Sequence, residues 1–208
     1  VRSLLPESIL DFNWMPDSKN YTHLSSDFQY LVKGSITSKD MDTLLSTAAF
    51  NEAAGSGLFA IYGITWKDNS KFWVESSGSY YEFDLSTKAA RTLVELPKEA
   101  ENSKQSEVTG DVAYTVGNNV RIQSVNGMSY QVTNNEDRNI VSGQAIARSE
   151  FGITDGLFWS PNGAQLAFYE KDESSVSDYP LLDNSTTPGS LRNIKYPMAG
   201  QGSERARV

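Results

Sequence analysis

The sequence predicts an all-β chain built from repeated short meanders, and three observations predict it. Runs rich in Val, Ile, Tyr, Phe and Trp alternate with Gly, Asn, Asp and Ser punctuation, the pattern of short strands joined by tight turns. Aromatic residues make up 11% of the 208 residues, which suits half-buried pleated surfaces. A motif then recurs: "FNWMPDSKNYTHL" from Phe12, "ITWKDNSKFWVES" from Ile64 and "LFWSPNGAQLAFY" from Leu157, with a fourth copy without Trp, "VTGDVAYTVGNNV", from Val108. Spacings of 40 residues between Phe72 and Val112 and 54 between Val112 and Leu166, with several strands per unit, are the signature of propeller blades. The expected fold is therefore a partial β-propeller of about four blades, with units near 9–50, 57–97, 107–138 and 150–208.

The elements follow in order. In the first unit Trp14 precedes a turn made by Pro16 and Asp17, and Lys19 stands five residues after Trp14; Trp66 and Lys71 keep the same interval. Pro cannot donate to a strand ladder, so Pro16 and Pro161 belong at turns, where Asp17, Asn162 and Gly163 supply the conformations that reverse the chain. Trp14, Trp66 and Trp159 are expected to pack between neighbouring blades. Helical periodicity is scarce. "TLLSTAAFNEAA" (43–54) predicts one or two helical turns, and "KEAENS" (98–103) is the other helix candidate. Downstream, "KFWVES / SYYEFDL / ARTLVEL" and "DVAYTV / NVRIQSV / MSYQVTN" keep step, since Phe72 to Tyr80 and Val112 to Val120 both span eight residues. Four such units can close a small ring or form half of a larger one. The strand-like "ERARV" at the end favours the larger ring, and a start at Val1 suggests a trimmed product.

Bulk composition narrows the function classes. A formal net charge of −8 argues against nucleic acid and against an anionic membrane surface, since phosphate binding needs a basic face. No run approaches the roughly 18 apolar residues of a membrane helix. Zero cysteines exclude disulfides and thiolate metal sites. No His pair or carboxylate cluster has metal-ligand spacing, and no glycine-rich phosphate loop is present, so neither metal nor cofactor is expected. No Gly-x-Ser-x-Gly nucleophile elbow occurs; "AGSGL" (54–58) has the wrong spacing. The single histidine, His23, lies inside the first repeat and reads as structural. The chain is expected to carry no complete active site. Binding chemistry remains, and Glu150, between the polar "NNEDRNIVSGQAIARS" and "FGITDG", is its best candidate. By composition a loop glutamate is usually a solvated surface residue, and Asp172 and Glu173 read as turn or cap devices.

One ordered string points to a family. Glu-Phe-Gly (150–152), Trp-Ser-Pro (159–161), Asp-Glu-Ser-x-Val (172–176), Tyr-Pro (179–180) and Tyr-Pro-Met-Ala-Gly (196–200) resemble the propeller domain of dipeptidyl peptidase IV-type serine exopeptidases, including the bacterial prolyl tripeptidyl peptidases. The resemblance is strongest from Ile140 to Glu204 and weak over 35–60 and 98–107. It implies an eight-bladed propeller followed by an α/β-hydrolase domain that carries the Ser-Asp-His triad. It also implies that the propeller gates substrate entry and presents glutamates to the free α-amino group of a peptide. Relatives place two adjacent glutamates ahead of the Phe-Gly; here the second falls on Glu150 and the first on Ser149, a departure that leaves dipeptide versus tripeptide release open. Arg148 would orient Glu150 or pair with Glu136 or Asp137.

On this reading the chain is the non-catalytic, substrate-gating part of a secreted or periplasmic post-proline peptidase. Its partners are a peptide with a free N-terminus, the missing propeller half and hydrolase domain, and, in one arrangement, a second copy in a homodimer. The alternatives are a free-standing propeller interaction module and, more remotely, a glycan-active propeller enzyme.

Overall fold

The computed structural model describes residues 9–146 and 152–208. The chain is an all-β partial propeller, divided into two compact units at Pro97/Lys98.

The first unit holds two four-stranded antiparallel meanders. One runs β1 (Leu10–Trp14), β2 (Asn20–Leu24), β3 (Tyr30–Ser35) and β4 (Ser38–Ser46), each strand paired with the next. A short helix α1 (Thr47–Ala54) follows, and then the second sheet: β5 (Thr65–Trp66), β6 (Lys71–Ser76), β7 (Ser79–Asp84) and β8 (Ala89–Glu95). The helix begins four residues later than the sequence pattern suggests, because 43–46 finish β4. Ser46 caps it by accepting the Ala49 N–H at 3.1 Å, and Gly55 ends it in the left-handed conformation at φ +61°. Phe50 of α1 is fully buried, with its ring 5.5 Å from Phe83 and 6.4 Å from Phe72. Leu31 and Leu45 of the first sheet, Leu58, Ile61 and Ile64 of the connection, and Val74 of the second sheet complete this core.

The second unit opens with a third meander, β9 (Glu101–Gln105), β10 (Val112–Val116), β11 (Asn119–Gln123) and β12 (Ser129–Gln131). The helix expected at 98–103 does not form; Glu101 to Gln105 is strand instead. The reason is tertiary. β10 is buried along most of its length and needs a partner on each edge, and β9 supplies one, with Asn102 Nδ2 donating to Thr115 Oγ1 at 2.9 Å. The remaining strands are shorter: β13 (Ile140–Ser142), β14 (Leu157–Trp159), β15 (Leu166–Phe168), β16 (Glu170–Asp172), β17 (Asp178–Asp183), β18 (Ser190–Lys195) and β19 (Arg205–Arg207). They form a β14–β15 hairpin, a three-stranded β13–β16–β19 sheet and a separate β17–β18 hairpin.

The repeated tryptophans occupy one structural position, the last residue of the strand before a hairpin turn. Trp66 donates its indole N–H to Thr22 Oγ1 of the first sheet at 3.1 Å, and Trp159 donates to the Lys104 carbonyl of the third sheet at 2.9 Å. Each thus reaches from its own sheet to the preceding one. Trp14 departs from the expectation. It packs edge-on against Phe12 and Tyr21 of its own sheet and stays 54% exposed, because among the described residues no sheet precedes β1 for its indole to reach.

Candidate functional site

The residues singled out from the sequence, Arg148, Ser149 and Glu150, lie outside the described residues. The described residues on either side of them meet. The chain leaves β13 through Gly143 and returns through Gly156 into β14. Tyr169 clamps both stems with its backbone: the Gly143 N–H donates to the Tyr169 carbonyl at 2.7 Å, and the Tyr169 N–H donates to the Gly156 carbonyl at 3.0 Å.

Only glycine fits this neck. Gly143 has φ +78°, and a Cβ there would stand 2.7 Å from the methyls of both Thr115 and Val120. A Cβ on Gly156 would stand 2.6 Å from the carbonyl oxygens of Gly143 and Gln144 and would collide with the Gln144 carbonyl carbon. Beyond the neck the outgoing stem is tied down by buried Ala145, and the returning stem by an ion pair from Asp155 to Lys104 at 2.9 Å. Leu157, fully buried against Ala113 and Val120, then locks the return into the core.

The charged groups around β13 and β16 are engaged structurally. Ser142 Oγ donates to Glu170 Oε2 at 3.1 Å, and Glu170 Oε1 takes the Arg207 guanidinium. Asp137 Oδ1 accepts the backbone and side-chain N–H groups of Asn139, each at 2.8 Å. Arg138 pairs with Asp178, whose carboxyl is held below the usual range by hydrogen bonding to Lys195 and by the charges of Lys195 and Arg138. Asp172 accepts both the hydroxyl and the N–H of Ser174, which lowers its pKa, and Glu173 pairs with Lys171. Both therefore act as turn and sheet devices. His23 lies on β2, stacks on Tyr21 and donates from Nδ1 to the Leu24 carbonyl at 2.9 Å, a structural role.

Sequence reading missed the neck. The signal was present as the Ser-Gly and Asp-Gly dipeptides at 142–143 and 155–156, which frame the loop with turn residues. It also missed a cavity in the first unit lined by Phe28, Phe59 and Tyr62. No periodicity marks those aromatics as outward-facing.

Antiparallel meanders repeated along the chain, with tryptophans that cross from one sheet to the sheet before it, define a propeller fragment. The chain belongs to the family described as dipeptidyl peptidase IV (DPP IV) N-terminal region, whose sequence profile matches residues 62–208. Among curated relatives, human prolyl endopeptidase FAP is 28% identical over 94% of this chain, and dipeptidyl aminopeptidase B of Saccharomyces cerevisiae is 29% identical over 65% of it. The alignment takes in 27% of the human protein and 18% of the yeast one, so the chain spans about a quarter or less of these relatives' lengths. Among solved structures, a chain described as a dipeptidyl aminopeptidase IV from Bacteroides ovatus superposes with a TM-score of 0.78 at 28% identity, covering 96% of this chain and 28% of that one. Porphyromonas gingivalis dipeptidyl peptidase 4 superposes with a TM-score of 0.67 at 25% identity, covering 95% of this chain and 30% of that one.

Proposed function

We propose that this chain is the amine-binding, substrate-gating part of the propeller of an exported post-proline dipeptidyl or tripeptidyl peptidase. The nucleophile and its triad belong to an α/β-hydrolase domain elsewhere in the longer protein. Units near 9–50, 57–97, 107–138 and 150–208 are four blades of eight, and the periplasm is the natural compartment. Peptides with a free N-terminus are the substrates, and a homodimer is compatible with this arrangement.

In this reading Glu150 takes the peptide's α-ammonium, Ser149 adds a hydroxyl where relatives have a second glutamate, and Arg148 orients the Glu150 carboxylate. An ammonium entering a water-poor cavity needs a countercharge, and a charge-assisted hydrogen bond contributes about 1.5–3 kcal/mol. Fixing the amine at a set distance from a nucleophile makes the enzyme count residues from the N-terminus.

The observation that carries the proposal is the neck. Gly143, Gly156 and the Tyr169 backbone bring together the described residues that flank Glu150, which is the kind of support a positioned carboxylate requires. Family membership and the relatives' names support the reaction class. The test is Glu150→Gln in the full-length protein. It should lower kcat/KM for free-amine Xaa-Pro substrates by about 10- to 100-fold. Unchanged kinetics would remove Glu150 from this role.

A further inference from the structure

The first unit carries a second feature that the amine-binding role does not use. Between α1 and β5 the connection buries Leu58, Ile61 and Ile64 and turns Phe59 and Tyr62 outward, 77% and 64% exposed. With Phe28 from the β2–β3 turn, these rings line a cavity of about 540 Å³ whose remaining lining is Leu58, Ala60, Gly63, Ser76 and Glu75. Scattered exposed aromatics need no explanation, whereas three lining one concavity mark a binding surface.

Backbone strain points to the same place. Phe28 has φ +62°, a left-handed conformation rare for a bulky side chain. Its N–H donates to the Ser25 carbonyl at 2.9 Å, and its carbonyl accepts from Thr47 Oγ1 at 3.3 Å, so the turn is held from both sides. The ring that results lies 5.9 Å from Phe59. On the other side the Gly63 N–H donates to Asp11 Oδ2 at 3.1 Å, which pins the connection next to Tyr62. Strain held in place by surrounding bonds at a ligand-sized concavity is the pattern of a functional clamp.

Charge decides the ligand class. Glu75 is the one charged residue in the lining. The Gly78 N–H donates to its Oε1 at 2.8 Å and fixes the carboxylate, while Oε2 makes no hydrogen bond among the described residues. Aromatic faces with one carboxylate and no cation suit a positively charged group on an aliphatic stem. The same unit already makes such a contact internally, with Lys67 Nζ 3.8 Å over the Trp73 ring.

We propose that the Phe28–Phe59–Tyr62–Glu75 cavity binds a lysine or arginine side chain of a peptide, its stem against the aromatic rings and its cationic head on Glu75. The experiment uses the full-length protein and two probes, acetyl-Gly-Lys-Gly-amide and acetyl-Gly-norleucine-Gly-amide, titrated by NMR or calorimetry. Both are blocked at the N-terminus, so neither engages an amine clamp, and the result is independent of the Glu150→Gln kinetics. The lysine peptide should bind about tenfold tighter than the norleucine one. Glu75→Gln should erase that difference, and Phe59→Ala with Tyr62→Ala should abolish both bindings. All three side chains are exposed, so the variants should keep the parent's circular dichroism. Norleucine binding as tightly as lysine, or a preference for lysine that survives Glu75→Gln, would overturn the proposal.

Discussion

Gly156→Ala is the sharpest test of the neck. The added methyl would stand 2.6 Å from two carbonyl oxygens, about 0.8 Å short of the 3.4 Å at which ordinary van der Waals contact begins. Those oxygens belong to backbone, so no side chain can swing aside, and one stem of the loop must shift by most of that distance. Overpacking of this kind costs about 1–3 kcal/mol of stability. The kinetic effect should be larger in proportion, since misplacing a positioning group by about 1 Å can cost about 100-fold in rate. The assay is kcat/KM of the full-length protein on free-amine Xaa-Pro-p-nitroanilides, with N-acetylated substrates as comparators. Gly117→Ala is the control for general destabilisation: it has φ +57° with open space around it, so it should lower Tm through backbone strain and leave kinetics alone. If Gly156→Ala has the parent's kcat/KM while losing as much Tm as Gly117→Ala, the neck does not position the loop and the reasoning fails.

Three further outcomes are expected. Trp66→Phe removes the donor to Thr22 Oγ1 and leaves a fully buried hydroxyl unpaired, costing about 1–3 kcal/mol in thermal or urea unfolding; adding Thr22→Val should recover part of the loss. Phe50→Ala empties the centre of the first unit and should cost about 3–5 kcal/mol, read as lost hydrogen-exchange protection of β6 and β7. Acid titration should follow the turn aspartates: Asp68, Asp84, Asp172 and Asp183 each accept from the Ser two residues on, which lowers their folded pKa values. Their contribution is complete above the unfolded value of about 3.9 and disappears as pH falls through the lower folded values, so urea midpoints should drop below about pH 4. Asp11 works in the opposite sense, because burial raises its pKa, so its ionisation weakens folding as pH rises through that raised value; Asp11→Asn should remove this slope.

The scaffold was largely legible because its signals are local. Turns in which Asp or Asn follows Trp by two or three residues and period-two apolar runs specify hairpins without knowledge of the rest of the chain, and the eight-residue spacing within β6–β7 and β10–β11 reflects their matched registers. The segment 98–103 was misread because its own residues favour helix, while the demand for a strand comes from pairing with β10, outside the segment. The neck at Gly143 and Gly156 was missed for a related reason, although its turn dipeptides were visible. Each glycine alone reads as a turn; their requirement comes from groups distant in sequence, the Thr115 and Val120 methyls at Gly143 and the Gly143 and Gln144 carbonyls at Gly156.

The aromatic cavity sits on one class of loop. In a four-stranded meander the turn between the second and third strands and the connection that leaves the fourth strand emerge at the same end of the sheet. In the first unit the β2–β3 turn supplies Phe28, the connection after β4 supplies Phe59 and Tyr62, and Glu75 stands just ahead of the β6–β7 turn. In the second unit the β10–β11 turn is tied to the connection after β12: Asn118 Nδ2 donates to the Arg138 carbonyl at 2.8 Å, Asn135 Nδ2 donates to the Asn118 carbonyl at 3.3 Å, and the Ser142 N–H donates to the same carbonyl at 3.1 Å. That connection ends at β13, and the chain leaves β13 through Gly143. The opposite turns, at 15–19, 67–70 and 160–165, are closed by Asp17, Asp68 and Asn162 accepting neighbouring N–H groups, which uses their polar side chains locally. Repeat architectures concentrate variation and recognition on one set of loops while the other set keeps the turn chemistry that folding requires. The division in the first unit falls along that line, with the aromatic, carboxylate-rimmed cavity on the loops at one end of the sheets and the locally closed turns at the other.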